Sequence, residues 1–444
     1  MCEGRVFLLG ECSFFFGSAE HGGVSSEGGS KAWHCHSFSK LSFMIKIESD
    51  GVCFPKGFSA SGIKAGIKTS GNLDLALLYS KEPARCFATF TKNQVQAAPV
   101  LYDKEVLTKH NTINAVIVNS GNANACTGKQ GYLDAASMAE FVEKELKLGK
   151  LSTLVSSTGV IGHNLPMKKI SAAIPELAKK LSNKNSEIFA KAICTTDTII
   201  KTGSISLQTA KGEIRFGGSC KGSGMIHPNM ATMLAYITTD LRLPEDFLTE
   251  FRGMVNESFN AITVDGDMST NDTCLLLANG QSGVFLSDLS ITEQSNARNA
   301  LFELMKHLAL QIVNDGEGAT KRVEIEVCGA RNKAEAMQIA KSIATSNLVK
   351  CALFGEDPNW GRIVSSAGAS GVTFPAEKLS LHFEDVQVVK DGMPIRAAQE
   401  KLAKIAKKKE YKVSLDLHTG DSKASVYTCD LSYDYVKINA EYTT

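Results

Sequence analysis

Near its midpoint the chain reads Lys221-Gly222-Ser223-Gly224-Met225-Ile226-His227-Pro228-Asn229-Met230-Ala231-Thr232-Met233-Leu234. A Gly-rich turn carrying one lysine feeds an apolar run that predicts a buried strand. Thr232 stands just inside that run and follows the small residue Ala231. This is the layout of an N-terminal threonine nucleophile before the chain is cut. Cleavage of the Ala231–Thr232 bond gives Thr232 a free α-amine beside its own hydroxyl. Such an amine, with a pKa of about 7.7–8 in model peptides, can take the hydroxyl proton without a separate histidine. By residue type alone a strand threonine is a β-former, so the neighbouring segments must decide between the two readings.

Those segments recur along most of the chain. Asn119-Ser120-Gly121-Asn122-Ala123-Asn124-Ala125-Cys126-Thr127-Gly128 is an Asn/Gly loop, and Ser157-Thr158-Gly159-Val160-Ile161-Gly162 closes a predicted strand. Thr195-Thr196-Asp197-Thr198, Thr263-Val264-Asp265-Gly266-Asp267 and Asn314-Asp315-Gly316-Glu317-Gly318 follow, then Asp357-Pro358-Asn359-Trp360-Gly361-Arg362 and the terminal Ile438-Asn439-Ala440-Glu441-Tyr442-Thr443-Thr444. In this order, over about residues 47–444, they resemble the ornithine acetyltransferase family, the glutamate N-acetyltransferases of arginine biosynthesis.

The resemblance implies self-cleavage between Ala231 and Thr232 and a ping-pong transfer of acetyl from N-acetylornithine to glutamate through acetyl-Thr232. It implies an oxyanion hole at Thr158 and Gly159, and substrate contacts at Thr195, Lys221, Thr232, Glu317, Asn439 and Thr444. It also implies an α2β2 assembly and no metal or organic cofactor. Acetyl-CoA enters as a co-substrate in those members that also make N-acetylglutamate, and both versions stay open here. The alternative is a hydrolase or aminopeptidase with the same nucleophile, in which water accepts the acyl group.

Composition narrows the partners. Forty-eight basic against 47 acidic side chains give a net charge of +1, so nothing points to nucleic acid or an anionic membrane. No apolar run approaches the roughly 18–20 residues that span a bilayer. The 12 cysteines are scattered without a CxxC pair or zinc spacing, which predicts reduced thiols in the cytoplasm, with Cys126 and Cys220 as small buried hydrophobes. The Asp265-Gly266-Asp267 pair lacks further oxygen ligands at calcium-loop spacing and predicts a structural turn rather than a metal site. The Gly-rich loops match neither common nucleotide-binding pattern.

The chain divides into three parts. Residues 1–43 lack helical or strand periodicity and are expected to be a disordered extension, with Met44 as the start. Residues 44–322 form a predicted α/β core, cut at Ala231, and residues 323–444 a smaller α+β domain. The resemblance implies layered mixed sheets of the ornithine acetyltransferase and N-terminal-nucleophile aminopeptidase type. Apolar periodicity predicts helices over 132–147, 167–182, 245–258, 291–313, 333–347 and 394–407. Strands are predicted at 115–118, 154–156, 274–277, 323–328, 411–418 and 424–437, with a hairpin turning at Lys211-Gly212.

Overall fold

The computed structural model describes residues 45–227, 233–396 and 399–441. The expected extension 1–43, the Ala231–Thr232 bond and Thr444 lie outside the described residues.

The first half of the chain runs β1 (Phe58–Ile63), β2 (Leu75–Phe90), α1 (Ala98–Lys109), β3 (Thr112–Asn122), α2 (Gly128–Leu146), β4 (Thr153–Val160), α3 (Met167–Lys179), α4 (Ser186–Ile193), β5 (Lys201–Thr209) and β6 (Gly212–Lys221). Then come β7 (Leu234–Thr239), α5 (Leu248–Glu257), β8 (Ile262–Thr263), β9 (Thr273–Ala278) and α6 (Ile291–Asn314). The last part holds β10 (Arg322–Ala330), α7 (Lys333–Ala344), α8 (Asn347–Phe354), α9 (Trp360–Gly368), β11 (Ser380–Phe383), β12 (Val386–Lys390), β13 (Met393–Pro394), α10 (Gln399–Ala406), β14 (Glu410–Asp416), β15 (Ser422–Cys429) and α11 (Tyr433–Glu441).

Among the described residues these strands make two mixed sheets. The first has the order β4-β3-β2-β9-β7-β6-β5, with β1 paired to β2. Its central strands are buried residue by residue. Ala235 and Ile237 of β7, with Cys274 and Leu276 of β9, enter one apolar core, while Leu234, Tyr236, Leu275 and Leu277 enter another on the opposite face. The two-residue period of a strand thus feeds two cores at once, which is why β7 and β9 read as unbroken apolar runs.

Helix α6 covers the first face. It starts with a capping box, the Ser290 hydroxyl accepting from the Glu293 N–H while Glu293 reaches back to the Ser290 N–H. Its Leu301, Leu304, Met305, Leu308 and Ile312 are buried at helical spacing. Each such side chain stabilises the fold by roughly 1.5–3 kcal/mol. Helix α4 lies on the other face, with Phe189 edge-on to Tyr236 at 5.3 Å.

The second sheet has the order β13-β12-β11-β14-β10-β15-β8. Val323, Ile325 and Val327 of β10 are buried and alternate with partly exposed Glu324 and Glu326. This half-buried pattern faces α7 on one side. β8 comes from before residue 322 yet pairs with Tyr427 and Thr428 of β15, stitching the two sheets together.

Two predicted elements differ: the helix expected over 394–407 is described as α10 from Gln399, with Pro394 paired in β13, and one strand is cut short. The strand expected over 424–437 ends at Cys429, and α11 starts at Tyr433. The chain is turned by Asp430, whose carboxylate accepts from the Thr320 and Lys321 N–H groups at 2.8 and 2.9 Å. The Ser432 hydroxyl donates to the Gly318 carbonyl at 2.6 Å. Both partners lie more than a hundred residues away in sequence, beyond the reach of a period count.

Candidate active site

Parallel strands β3 and β4 end side by side, with Ser120 opposite Thr158 and Gly121 opposite Gly159. The Asn119 carboxamide accepts from the Ser157 hydroxyl at 2.6 Å and donates to the Asn122 carbonyl at 2.8 Å, so the Asn/Gly loop is folded back on the strand end. Asn271 ties the same corner from a third direction, donating to the carbonyls of Ala123 (2.6 Å) and Ser157 (2.9 Å). Gly159 has φ +132°, and a Cβ there would stand 2.3 Å from the Gly121 carbonyl carbon. No other residue fits that approach.

At the end of β6, Lys221 is 3% exposed and donates to the Thr158 hydroxyl at 3.3 Å. The Thr195–Thr198 loop is held beside it by a buried ionic cluster. Lys201 lies between Asp197 (2.7 Å) and Asp315 (2.5 Å). Asp197 also accepts from the Thr195 N–H at 3.0 Å and the Gly222 N–H at 2.7 Å. Burial pushes the Asp197 carboxyl up, but the nearby Lys221 and Lys201 ammonium groups and these hydrogen bonds outweigh it and hold the group ionised, below the usual carboxylate range. The negative charge therefore stays in place beneath the lysines and fixes the start of the Gly-rich turn.

The far wall comes from the later part of the chain. The Glu317 N–H donates to the Ser223 carbonyl at 2.9 Å, and the Asn439 carboxamide donates to the Glu317 carboxylate at 2.9 Å. A Cβ on Gly224 would meet that carboxylate at 2.4 Å, so glycine is what lets Glu317 close against the turn. Asp265 accepts from the N–H groups of Met225 (2.5 Å) and Ile226 (2.8 Å). Burial pushes its carboxyl up to about 6 despite those bonds. Tyr435, one helical turn before Asn439 on α11, is pushed up by its own burial and by Asp265, which also accepts its hydroxyl hydrogen bond.

Thr158, Gly159, Thr195, Lys221, Glu317 and Asn439, the described residues singled out from the sequence as site candidates, all line one cavity of about 250 Å³. Thr232, Ala231 and Thr444 lie outside the described residues. The chain on either side of 228–232 is anchored: Met225 lines the cavity, and the Met233 N–H donates to the buried Asp272 carboxylate at 3.2 Å. Asp265, Asp267, Ser269, Thr270, Asn271 and Tyr435 also line the cavity. Asp265 and Asp267 were expected to be a structural turn. Asp265 does act as a backbone acceptor, and it faces the cavity as well. Ser269, Thr270, Asn271 and Tyr435 carried no sequence signal, because they reach the site only through the pairing of β2 with β9 and the turn into α11.

His227 sits 3.4 Å from the Thr263 hydroxyl and does not line the cavity. Cys220 is buried as expected, whereas Cys126, at a φ of 57° in the Asn/Gly loop, is exposed. Among the described residues no group of three or more His, Cys, Asp or Glu is arranged to hold a metal ion. Among them, too, no helix is long and apolar enough to cross a membrane.

Known proteins bear on this geometry. An arginine biosynthesis bifunctional protein ArgJ from Geobacter sulfurreducens is 46% identical over 391 residues, covering 88% of this chain and 99% of its own. The protein of the same description from Thermotoga neapolitana is 45% identical over 400 residues, again 88% and 99%. Among solved structures, ArgJ of Bacillus halodurans is 38% identical, covering 47% of this chain and 98% of its own at a TM-score of 0.44. The Mycobacterium tuberculosis ornithine acetyltransferase complexed with ornithine is 38% identical, covering 42% and 99% at a TM-score of 0.39. The ArgJ family model matches residues 59–444, and the chain belongs to the ArgJ family of arginine biosynthesis.

Proposed function

We propose that this ArgJ-family acyltransferase moves acetyl from N2-acetyl-L-ornithine to L-glutamate through an acetyl ester on Thr232. The observation that carries this reading is the single cavity that gathers Thr158, Gly159, Thr195, Lys221, Glu317 and Asn439 between the anchored ends flanking 228–232.

The first reaction is internal. The Thr232 hydroxyl attacks the Ala231 carbonyl, the peptide nitrogen leaves as the Thr232 α-amine, and water hydrolyses the resulting ester. The two products are an α chain ending at Ala231 and a β chain of 232–444. The free amine then serves as base for the same hydroxyl.

In turnover, Thr232 attacks the acetyl carbonyl of acetylornithine and the oxyanion forms against Thr158 and the Gly159 N–H. One such donor is worth about 2.7–4 kcal/mol in acyl transfer. The released ornithine amine takes the proton. Glutamate then attacks the acetyl ester with its α-amine and regenerates the threonine. Lys221 meets the substrate α-carboxylate, Glu317 the ornithine δ-ammonium, and Thr195, Asn439 and Thr444 close the pocket. A cavity of about 250 Å³ suits amino-acid-sized partners entering in turn. The reading includes an α2β2 assembly in the cytoplasm with no metal or organic cofactor. Use of acetyl-CoA as a second acetyl donor is not part of this reading, and both versions stay open.

The test is denaturing electrophoresis with N-terminal sequencing, run beside an acetyl-transfer assay. A fragment beginning Thr232-Met233-Leu234, together with loss of both cleavage and transfer in Thr232→Ala, supports the reading. A single intact chain that still transfers acetyl would overturn it. Acetylornithine cleavage whose rate ignores glutamate would favour the hydrolase instead.

A further inference from the structure

A second concavity lies on the outer half of β2, away from the catalytic cavity. It consists of two spaces of about 480 and 410 Å³ that share Ala88, Phe90, Lys104 and Arg252 in their walls. Each falls within the roughly 300–1,000 Å³ typical of small-ligand sites.

The space exists because β3 stops short. The Cys86 N–H meets the Asn111 carbonyl at 2.9 Å, and the Thr91 N–H meets the Asp272 carbonyl on the β9 side at 2.9 Å. Strand alternation then aims the N–H and C=O of Ala88 and Phe90 toward the side that β3 has left.

The lining is cationic over an apolar floor. Arg85, Lys92, Lys104 and Arg252 are set around Phe87, Phe90, Leu107 and Leu248, with Glu245 as the lining carboxylate. Glu245 is taken by Arg85 at 2.7 Å and is 79% exposed. Lys104 lies over the Phe90 ring at 5.8 Å and donates to Gln96 at 2.9 Å. Among the described residues no carboxylate stands within ion-pair distance of Lys104, Lys92 or Arg252. Partial burial draws the Lys104 ammonium down. In the same wall the buried Thr89 hydroxyl has no hydrogen-bond partner.

None of these residues lines the catalytic cavity. The loop holding Met268–Asn271 lies between, bonded from the groove side by Thr91 to the Ser269 carbonyl (2.8 Å) and Asn93 to the Met268 carbonyl (3.0 Å).

We propose that this groove binds an organic polyanion of the nucleoside-diphosphate class, its phosphates on Lys92, Lys104 and Arg252 and its ring system on the Phe90–Leu248 floor. Arg and Lys are the phosphate-reading side chains, and their spread matches a chain of anionic groups better than one carboxylate. A small dicarboxylate would leave most of the volume empty.

The test is calorimetric titration of the cleaved, assembled protein with ADP, and separately with pyrophosphate. Binding of ADP should weaken as NaCl is raised, and the Lys104→Gln/Arg252→Gln double variant should bind about tenfold or more weakly. Lys221→Ala, altered in the catalytic cavity, should bind ADP as wild type does. Wild type failing to bind ADP at millimolar concentration, or the double variant binding equally, would overturn the proposal. Loss of binding in Lys221→Ala would assign the ligand to the catalytic cavity instead. Pyrophosphate binding as tightly as ADP would remove the ring-system part. A change of molecular mass in the double variant would make the groove a subunit contact.

Discussion

The two sheets solve burial differently, and the catalytic cavity sits where they meet. In the first sheet β7 and β9 are buried on both faces, and the ionised groups near its strand ends are held in a closed network, Lys201 between Asp197 and Asp315. In the second sheet β10 buries every other residue and leaves Glu324 and Glu326 for partly exposed contacts, including a Lys412–Glu326 pair at 2.7 Å. Charge is rigidly placed in the first region and cheaply tolerated in the second. The first therefore supplies Thr158, Gly159 and Lys221. The second supports the segments that close over them, Glu317 before β10 and α11 after β15.

That contrast can be broken most sharply at Gly159. Gly159→Ala places a side chain at φ +132° and against the Gly121 backbone. The φ alone costs on the order of 1–3 kcal/mol, with the clash in addition. Soluble yield, melting temperature and acetyl transfer should all collapse. A variant of wild-type stability would refute the close approach of β3 and β4.

Next is Lys201→Met, which leaves Asp197 and Asp315 buried without their cation and should cost about 3–5 kcal/mol by denaturant unfolding. A loss below about 1 kcal/mol would mean that the cluster is not what holds the Thr195 loop.

Asp265 gives a pH signature. Its folded carboxyl titrates near 6 rather than its ordinary 3.8, because burial favours the neutral form. Between those values the folded state binds more protons than the unfolded one, so stability falls as pH rises from about 4 to 6 and is flat above. The effect is on the order of 3 kcal/mol. Asp265→Asn should lose that slope, and an unchanged slope would place the titration elsewhere.

Smaller effects mark the second region. Ile325→Val should cost about 0.5–1.5 kcal/mol of stability and leave kcat unchanged, since Ile325 packs in the core of the second sheet. Asn439→Ala should leave stability within about 0.5 kcal/mol, because Asn439 is exposed and no residue of α11 is fully buried. By losing the bond to Glu317 it should raise KM by up to about tenfold. If Asn439→Ala unfolds the protein instead, α11 is structural and the division between the regions fails.

Much of this was legible in residue order. The capping box and spacing of α6 specify that helix locally, and the strand at Ala115–Val118 and the hairpin after Ile205 follow from short-range pattern. The turn glycines Gly159 and Gly224 were visible as residues, but their necessity was not. It arises from the Gly121 backbone and from Glu317, which approach them only in the folded chain. The strand expected over 424–437 failed for the same reason, since Asp430 and Ser432 break it by bonding to Thr320, Lys321 and Gly318.

By itself the sequence determined the apolar runs, the helical faces, the Gly-rich turn before Thr232 and the family motifs, all carried by neighbours within a few residues. Only the tertiary structure decided that Asp265, Asn271 and Tyr435 face the same cavity as Lys221, and that β3 stops early enough to open a cationic groove beside β2. Register and long-range hydrogen bonds set those placements, and neither has a signature in a window of adjacent residues.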